Sequence, residues 1–143
     1  MKLAFVRQLC VCWFCGCLGL ALSVQAQTSA PPIAVTKPLM QAKQVVPNVY
    51  YVEGVSAMGS SANQNFISNA GFVVTPAGVV VIDALGSPVL AQKLIQEIRK
   101  VTKQKIVAVV LTHYHADHVY GLQEFKRLGA TVYAQRDGLN YLA

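Results

Sequence analysis

The sequence predicts an α/β fold, a sheet carrying helices on one face, and three observations predict it. Val79-Val80-Val81-Ile82 and Ile106-Val107-Ala108-Val109-Val110-Leu111 are short apolar β-branched runs, the composition of strands in sheets covered on both sides. Between them, Leu90, Leu94, Ile98 and Val101 recur at helical spacing, while Gln92, Lys93, Gln96, Arg99 and Lys100 take the opposite face. Directly after the second run stands a polar cluster rich in metal-ligand side chains, and open sheets keep their chemistry at the carboxyl ends of strands.

From the N-terminus, the chain first reads as an export signal. Lys2 and Arg7 lead into the apolar stretch Leu9 to Leu22, which ends in Ser23-Val24-Gln25-Ala26. A basic start, a short apolar core and a small-x-small end predict a signal peptide over 1–26, cleaved after Ala26, and a periplasmic or secreted location. The stretch is too short for a bilayer anchor, which takes about 20 apolar residues. All four cysteines, Cys10, Cys12, Cys15 and Cys17, lie inside it. They read as part of the signal core rather than as a thiolate metal site, and the mature chain then carries no cysteine.

Residues 27–46 read as an extended leader, because Ala30-Pro31-Pro32 and Lys37-Pro38 restrict the backbone without offering a periodic apolar face. The folded part is expected over 47–143. Val49 to Val55 is a first strand, and Ala57 to Asn65 a small, polar, mobile loop. Phe72-Val73-Val74 and Val79 to Ile82 flank the turn Thr75-Pro76-Ala77-Gly78, where proline fixes φ and glycine tolerates a positive φ. Ser87 caps the helix 88–102 and Pro88 suits its first turn. Beyond the polar cluster, Leu122, Phe125 and Leu128 line a helix over 121–128 that Gly129 ends. Thr131 to Ala134 begins another strand, and Asp137 to Ala143 starts a further helix.

The cluster is His113-Tyr114-His115-Ala116-Asp117-His118, and it holds all three histidines of the chain. Imidazole nitrogen and carboxylate oxygen are the ligands that zinc and similar divalent ions prefer. In extended backbone His113 and His115 point the same way, so both reach one ion. Asp117 and His118 fall where the chain turns towards a helix and leave in another direction, which suits a second ion beside the first. The plainer alternative is a polar loop of surface histidines; the strand before it and the helix after it argue against that. Asp83, at the end of its own strand, either hydrogen-bonds a ligand histidine or caps the turn into the next helix. A supporting role is favoured over direct ligation, since carboxylates commonly orient metal-binding imidazoles.

Thr112-His113-Tyr114-His115-Ala116-Asp117-His118 resembles the signature of the metallo-β-lactamase fold superfamily, which includes lactamases, glyoxalase II-like thioesterases and other hydrolases. Asn69 to Val74, Thr75 to Gly78 and Val79 to Asp83 resemble the early hairpin of that family, which ends in an aspartate. Val119-Tyr120-Gly121-Leu122-Gln123 is most similar to periplasmic members, including those associated with sulfur-oxidation and quinoprotein systems. The resemblance implies the N-terminal half of an αββα sandwich, with a mixed sheet and helices on one face. It further implies two zinc ions, the first held by His113 and His115 and the second by Asp117 and His118. Asp117 would be catalytic, orienting a hydroxide that attacks a carbonyl or related ester. His118 sets the chain apart from lactamase subclasses with arginine there, and Tyr120 departs from a common glycine. In relatives the loop matching Ala57 to Asn65 can overhang the active site; the alternative is a plain surface hairpin loop.

Two ligands per ion fall short of the three or four that a zinc site uses. The resemblance implies that the remaining histidines and a bridging acid come from a second half of the fold, so the C-terminal half is expected to be absent here. Helices 88–102 and 121–128 then cover one face of the sheet, and the bare face is expected to make the fragment self-associate. Three readings follow: an exported zinc hydrolase, an iron-dependent sulfur-compound oxygenase of the same fold, and an inactive fragment. The net charge of +6 is spread over scattered lysines and arginines without interleaved aromatics. It gives no nucleic-acid site, and the expected partner is a small-molecule substrate.

Overall fold

A computed structural model describes residues 40–142. The predicted signal peptide and residues 27–39 of the leader lie outside the described residues. Six strands form one sheet in sequence order: β1 (Lys43–Val46), β2 (Val49–Val52), β3 (Ala70–Thr75), β4 (Gly78–Ile82), β5 (Ile106–Val110) and β6 (Thr131–Tyr133). The first four are antiparallel neighbours, whereas β5 runs parallel to β4 and β6 parallel to β5. The sheet is therefore mixed. Its parallel half needs crossovers, and helices supply them: α1 (Pro88–Val101) joins β4 to β5, and α2 (Ala116–Val119) with α3 (Leu122–Arg127) joins β5 to β6.

Each connection has a local cause. The turn between β3 and β4 is closed by Thr75, whose hydroxyl donates to Gly78 O (2.8 Å) and accepts from Ala77 N (3.2 Å). Gly78 stands at φ +134°, and a Cβ there would lie 2.6 Å from Val107 Cγ1. Leu90 N donates to the Ser87 hydroxyl at 3.2 Å, and Pro88 opens α1, as the sequence indicates. Gly129, at φ +83°, ends α3.

Register assigns the two faces. Val52, Ala70, Phe72, Val79, Val81 and Val109 point to the helix side and are buried with Leu90, Leu94, Ile98 and Phe125. Tyr50 stacks on Phe72 with ring centroids 4.9 Å apart. Removing each such large side chain from water stabilises the fold by about 1.5–3 kcal/mol. On the other face Val73 pairs with Val80, and Ile82, Val110 and Tyr133 lie side by side across three strands. These stay partly or largely exposed, and among the described residues nothing covers them.

Four details depart from the sequence expectations. The end of the predicted leader joins the sheet: Lys43–Val46 pairs along the free edge of β2. An edge strand needs only backbone partners, and all four of its residues are exposed, so an apolar period is not required. The first strand stops at Val52, short of Val55. Val101 and Leu128 are exposed rather than core: Val101 is the last residue of α1 and Leu128 the cap that follows α3. The helix expected over 121–128 is preceded by the separate turn α2, and the chain ends in a 3-10 turn (Arg136–Gly138) and α4 (Leu139–Leu142). Burial also reaches two carboxylates. Glu97 accepts from Ala42 N (3.2 Å) and is paired with Lys100; Glu124 accepts from Gln92 Nε2 (3.0 Å) and from Arg127.

Candidate metal centre

Parallel pairing of β4 and β5 puts their carboxyl ends side by side, with Asp83 N donating to Val110 O at 3.0 Å. Asp83 therefore leaves β4 beside the point where β5 runs into Thr112 and the histidines. Its φ is +63°, a left-handed conformation that aspartate tolerates better than most residues. The carboxylate is 4% exposed at the residue level and accepts three hydrogen bonds. Oδ1 takes Thr112 N (2.8 Å); Oδ2 takes Thr112 Oγ1 (2.7 Å) and faces His118 Nδ1 (2.9 Å). Of the two roles open to Asp83, the structure shows the imidazole contact, and Ser87 does the helix capping.

These bonds order protons in two rings. A carboxylate only accepts, so His118 carries its proton on Nδ1. The Thr112 hydroxyl spends its single proton on Asp83, so its oxygen accepts from His113 Nδ1 at 3.0 Å. With Nδ1 engaged in both rings, Nε2 is the nitrogen left to meet a metal.

The three rings gather. His113 lies 4.7 Å from His115 in an edge-on arrangement and 4.1 Å from His118, ring centroid to centroid. His113 and His115 thus share a side, as period-two alternation predicts. The divergence expected of His118 is not seen: the single helical turn α2 brings its ring back to His113. Asp117 Oδ2 lies 3.4 Å from His118 Nε2. The donor types fit zinc: three imidazoles and a carboxylate lie near one another. Yet among the described residues no three histidine, cysteine or acidic side chains are arranged to hold an ion. The set reads as a partial ligand shell that further donors would complete.

The backbone of this loop is clamped from outside. Ala84 N donates to His118 O (2.7 Å), Gly121 N to Leu85 O (2.9 Å), and the Ser68 hydroxyl to Asp117 O (2.5 Å). At Gly121 a Cβ would sit 2.0 Å from Ala84 O, so only glycine fits. A cavity of about 260 Å³ adjoins His113 and is lined by Thr112, Tyr114, Gln135, Asp137 and Tyr141 among others. The loop of residues 57–65 is tied together internally by Asn63, whose side chain accepts from Ser60 N (2.9 Å) and Asn65 N (3.0 Å) and donates to Met58 O (2.8 Å). Sequence reasoning gave Ser68 and Thr112 no separate role. The hydroxyl directly before the first histidine was a local signal for Thr112; Ser68 lies 49 residues from its partner and had none.

Residues 64–136 match the family model of the Metallo-beta-lactamase superfamily. The chain belongs to that superfamily. Within it, a metallo-beta-lactamase type 2 of Elizabethkingia meningoseptica is 37% identical over 71 residues, 50% of this chain and 28% of the relative. A linear primary-alkylsulfatase of Pseudomonas sp. is 34% identical over 53 residues, 37% of this chain and 10% of the relative. Among solved structures, a B3 metallo-beta-lactamase with an active-site glutamic acid superposes with a TM-score of 0.57 at 27% identity, over 74% of this chain and 36% of that one. The matched stretch thus spans well under half the length of these superfamily members, and the expected partial α/β sandwich is the fold observed.

Proposed function

We propose that this chain supplies the N-terminal portion of an exported zinc-dependent hydrolase that acts on a small molecule. The observation that carries the reading is the convergence of His113, His115 and His118, with Asp83 and Thr112 holding two of the rings in the metal-binding tautomer. His113 and His115 would hold a first zinc, and Asp117 with His118 a second. When bound, zinc lowers the pKa of a coordinated water to about 7 and polarises the group under attack. Asp117, partly open to solvent beside His118, would accept a hydrogen bond from that water and orient it towards the scissile group. Asp83 keeps the His118 ring from rotating away, and the clamp on α2 keeps both ligands in one orientation. The names of the relatives direct the substrate search towards β-lactams and sulfate esters, with thioesters and phosphoesters beside them.

Metal analysis and turnover by the full-length gene product test this. Zinc content together with zinc-restored hydrolysis of one of those esters or lactams is the expected result. Iron content with oxygen consumption would replace the hydrolase by the sulfur-compound oxygenase, and absence of tight zinc binding would leave an inactive fragment. Export is tested separately by N-terminal sequencing of the secreted form, which should start at Gln27.

A further inference from the structure

We infer that Ser68 is a positioning residue for Asp117, holding the backbone of the metal loop by a hydrogen bond from outside it. In a continuous helix the carbonyl of Asp117 would accept from the amide four residues on. That amide belongs to Gly121, and it donates instead to Leu85 O at 2.9 Å. The carbonyl is left as an orphan at the end of a four-residue helix, and burying it unpaired would be costly. The Ser68 hydroxyl, on a residue only 6% exposed, fills the gap.

Ser68 is itself fixed. A Cβ at Gly54 would lie 2.5 Å from Ser68 O, so the strand end after β2 packs directly on the Ser68 backbone. The next residue, Asn69, accepts from Gly54 N at 2.9 Å through its side chain. On the other side Gly86 packs on Asp117, where an added Cβ would come within 3.1 Å of Cα. Asp117 is thus held between Ser68 and Gly86, and the plane of its peptide sets the direction in which its carboxylate leaves. His118 depends on Asp83 for its ring, whereas Asp117 depends on Ser68 for its backbone. The two candidate ligands of the second ion are oriented by separate devices.

The consequence for metal binding rests on the zinc reading above; the contact itself does not. Ser68→Ala and Ser68→Thr variants of the full chain, labelled for NMR, separate the two. In the metal-free protein Ser68→Ala should move the Asp117 carbonyl carbon resonance upfield and average its χ1 couplings, with Ser68→Thr, which keeps the hydroxyl, restoring both. With cobalt(II) as the probe ion, Ser68→Ala should change the visible absorption bands and weaken affinity about 10–100-fold, again with rescue by Ser68→Thr. An Asp117 carbonyl and χ1 that ignore the substitution would overturn the inference, as would an unchanged cobalt spectrum in a folded Ser68→Ala protein. If Ser68→Ala does not fold, exchange of the Ser68 hydroxyl proton in the unaltered chain decides: protected supports it, freely exchanging overturns it. If the unaltered chain binds no cobalt, its partial ligand set does not hold the ion alone, and the metal-free NMR arm judges Ser68 by itself.

Discussion

Replacing Asp83 separates what this carboxylate does for the fold from what it does for the histidines. In Asp83→Ala, the left-handed backbone at φ +63° loses a side chain that tolerates it, which costs about 1–2 kcal/mol. The Thr112 amide, now facing no acceptor in a buried site, costs about 1–3 kcal/mol more. The Thr112 hydroxyl can turn towards His113 Nδ1 at 3.0 Å and recovers part of the loss. The expected destabilisation is about 2–5 kcal/mol, readable in urea denaturation. Asp83→Asn behaves differently. Asparagine tolerates the same φ, and its oxygen still accepts from Thr112 N, so stability should fall by only about 1 kcal/mol. Its amide, however, donates where the carboxylate accepted. His118 Nδ1 must then accept, its proton moves to Nε2, and the Thr112 hydroxyl is released to do the same to His113. Histidine ring 15N spectra of the metal-free chain read the tautomers directly. If the Asn variant keeps the Nδ1–H form, or if Ala stays within about 0.5 kcal/mol of the parent, as an ordinary surface change would, the assigned role of Asp83 is wrong.

Four further outcomes follow from the same structure. Gly121→Ala should cost about 3 kcal/mol or more, since its Cβ meets Ala84 O at 2.0 Å and Ala91 Cβ at 2.7 Å. Gly129→Ala, with open space but φ +83°, should cost only about 1–2 kcal/mol in the same denaturation assay. The hydrogen bond from Lys43 and its charge hold the Glu53 carboxyl below the usual range and raise Lys43 in return. The contribution of Glu53 is therefore present above the ordinary glutamate pKa and lost as pH falls through its lowered value. That of Lys43 is complete below the ordinary lysine pKa and lost as pH rises through its raised one. Both groups are exposed, so the effect is small and fades with salt; NMR titration of Glu53 in Lys43→Met should show its midpoint rising, and no movement would refute the pairing. Finally, we propose that the bare sheet face drives self-association of the chain, so Val73→Lys with Val110→Glu should lower its sedimentation-derived mass; an unchanged oligomer would point to another surface.

Much of this was legible in the residues. Val79–Ile82 and Ile106–Leu111 announced themselves by unbroken branched apolar side chains, and α1 by its spacing, its serine cap and its proline. The histidine loop was legible because its candidate ligands fall within six residues, and His113 and His115 share a side by simple alternation. What escaped was set by partners distant in sequence. Lys43–Val46 becomes a strand only because β2 has a free edge, and α2 stays separate from the expected helix because Leu85 captures the amide of Gly121. His118 swings towards His113 for the same reason, since the helical turn is held in place from the β4–α1 connection. Val101 and Leu128 fit the apolar period, yet they fall at helix ends and stay exposed.

The reciprocal bonds between the β4–α1 connection and the histidine loop, Ala84 to His118 and Leu85 to Gly121, have a consequence for how this region breathes. Neither segment can lift alone without stripping partners from the other, so the two behave as a single hinged flap rather than as two independent tips. Any event that loosens the first turn ahead of α1 is felt at once by the imidazoles, although the link from Ala84 and Leu85 runs through the backbone.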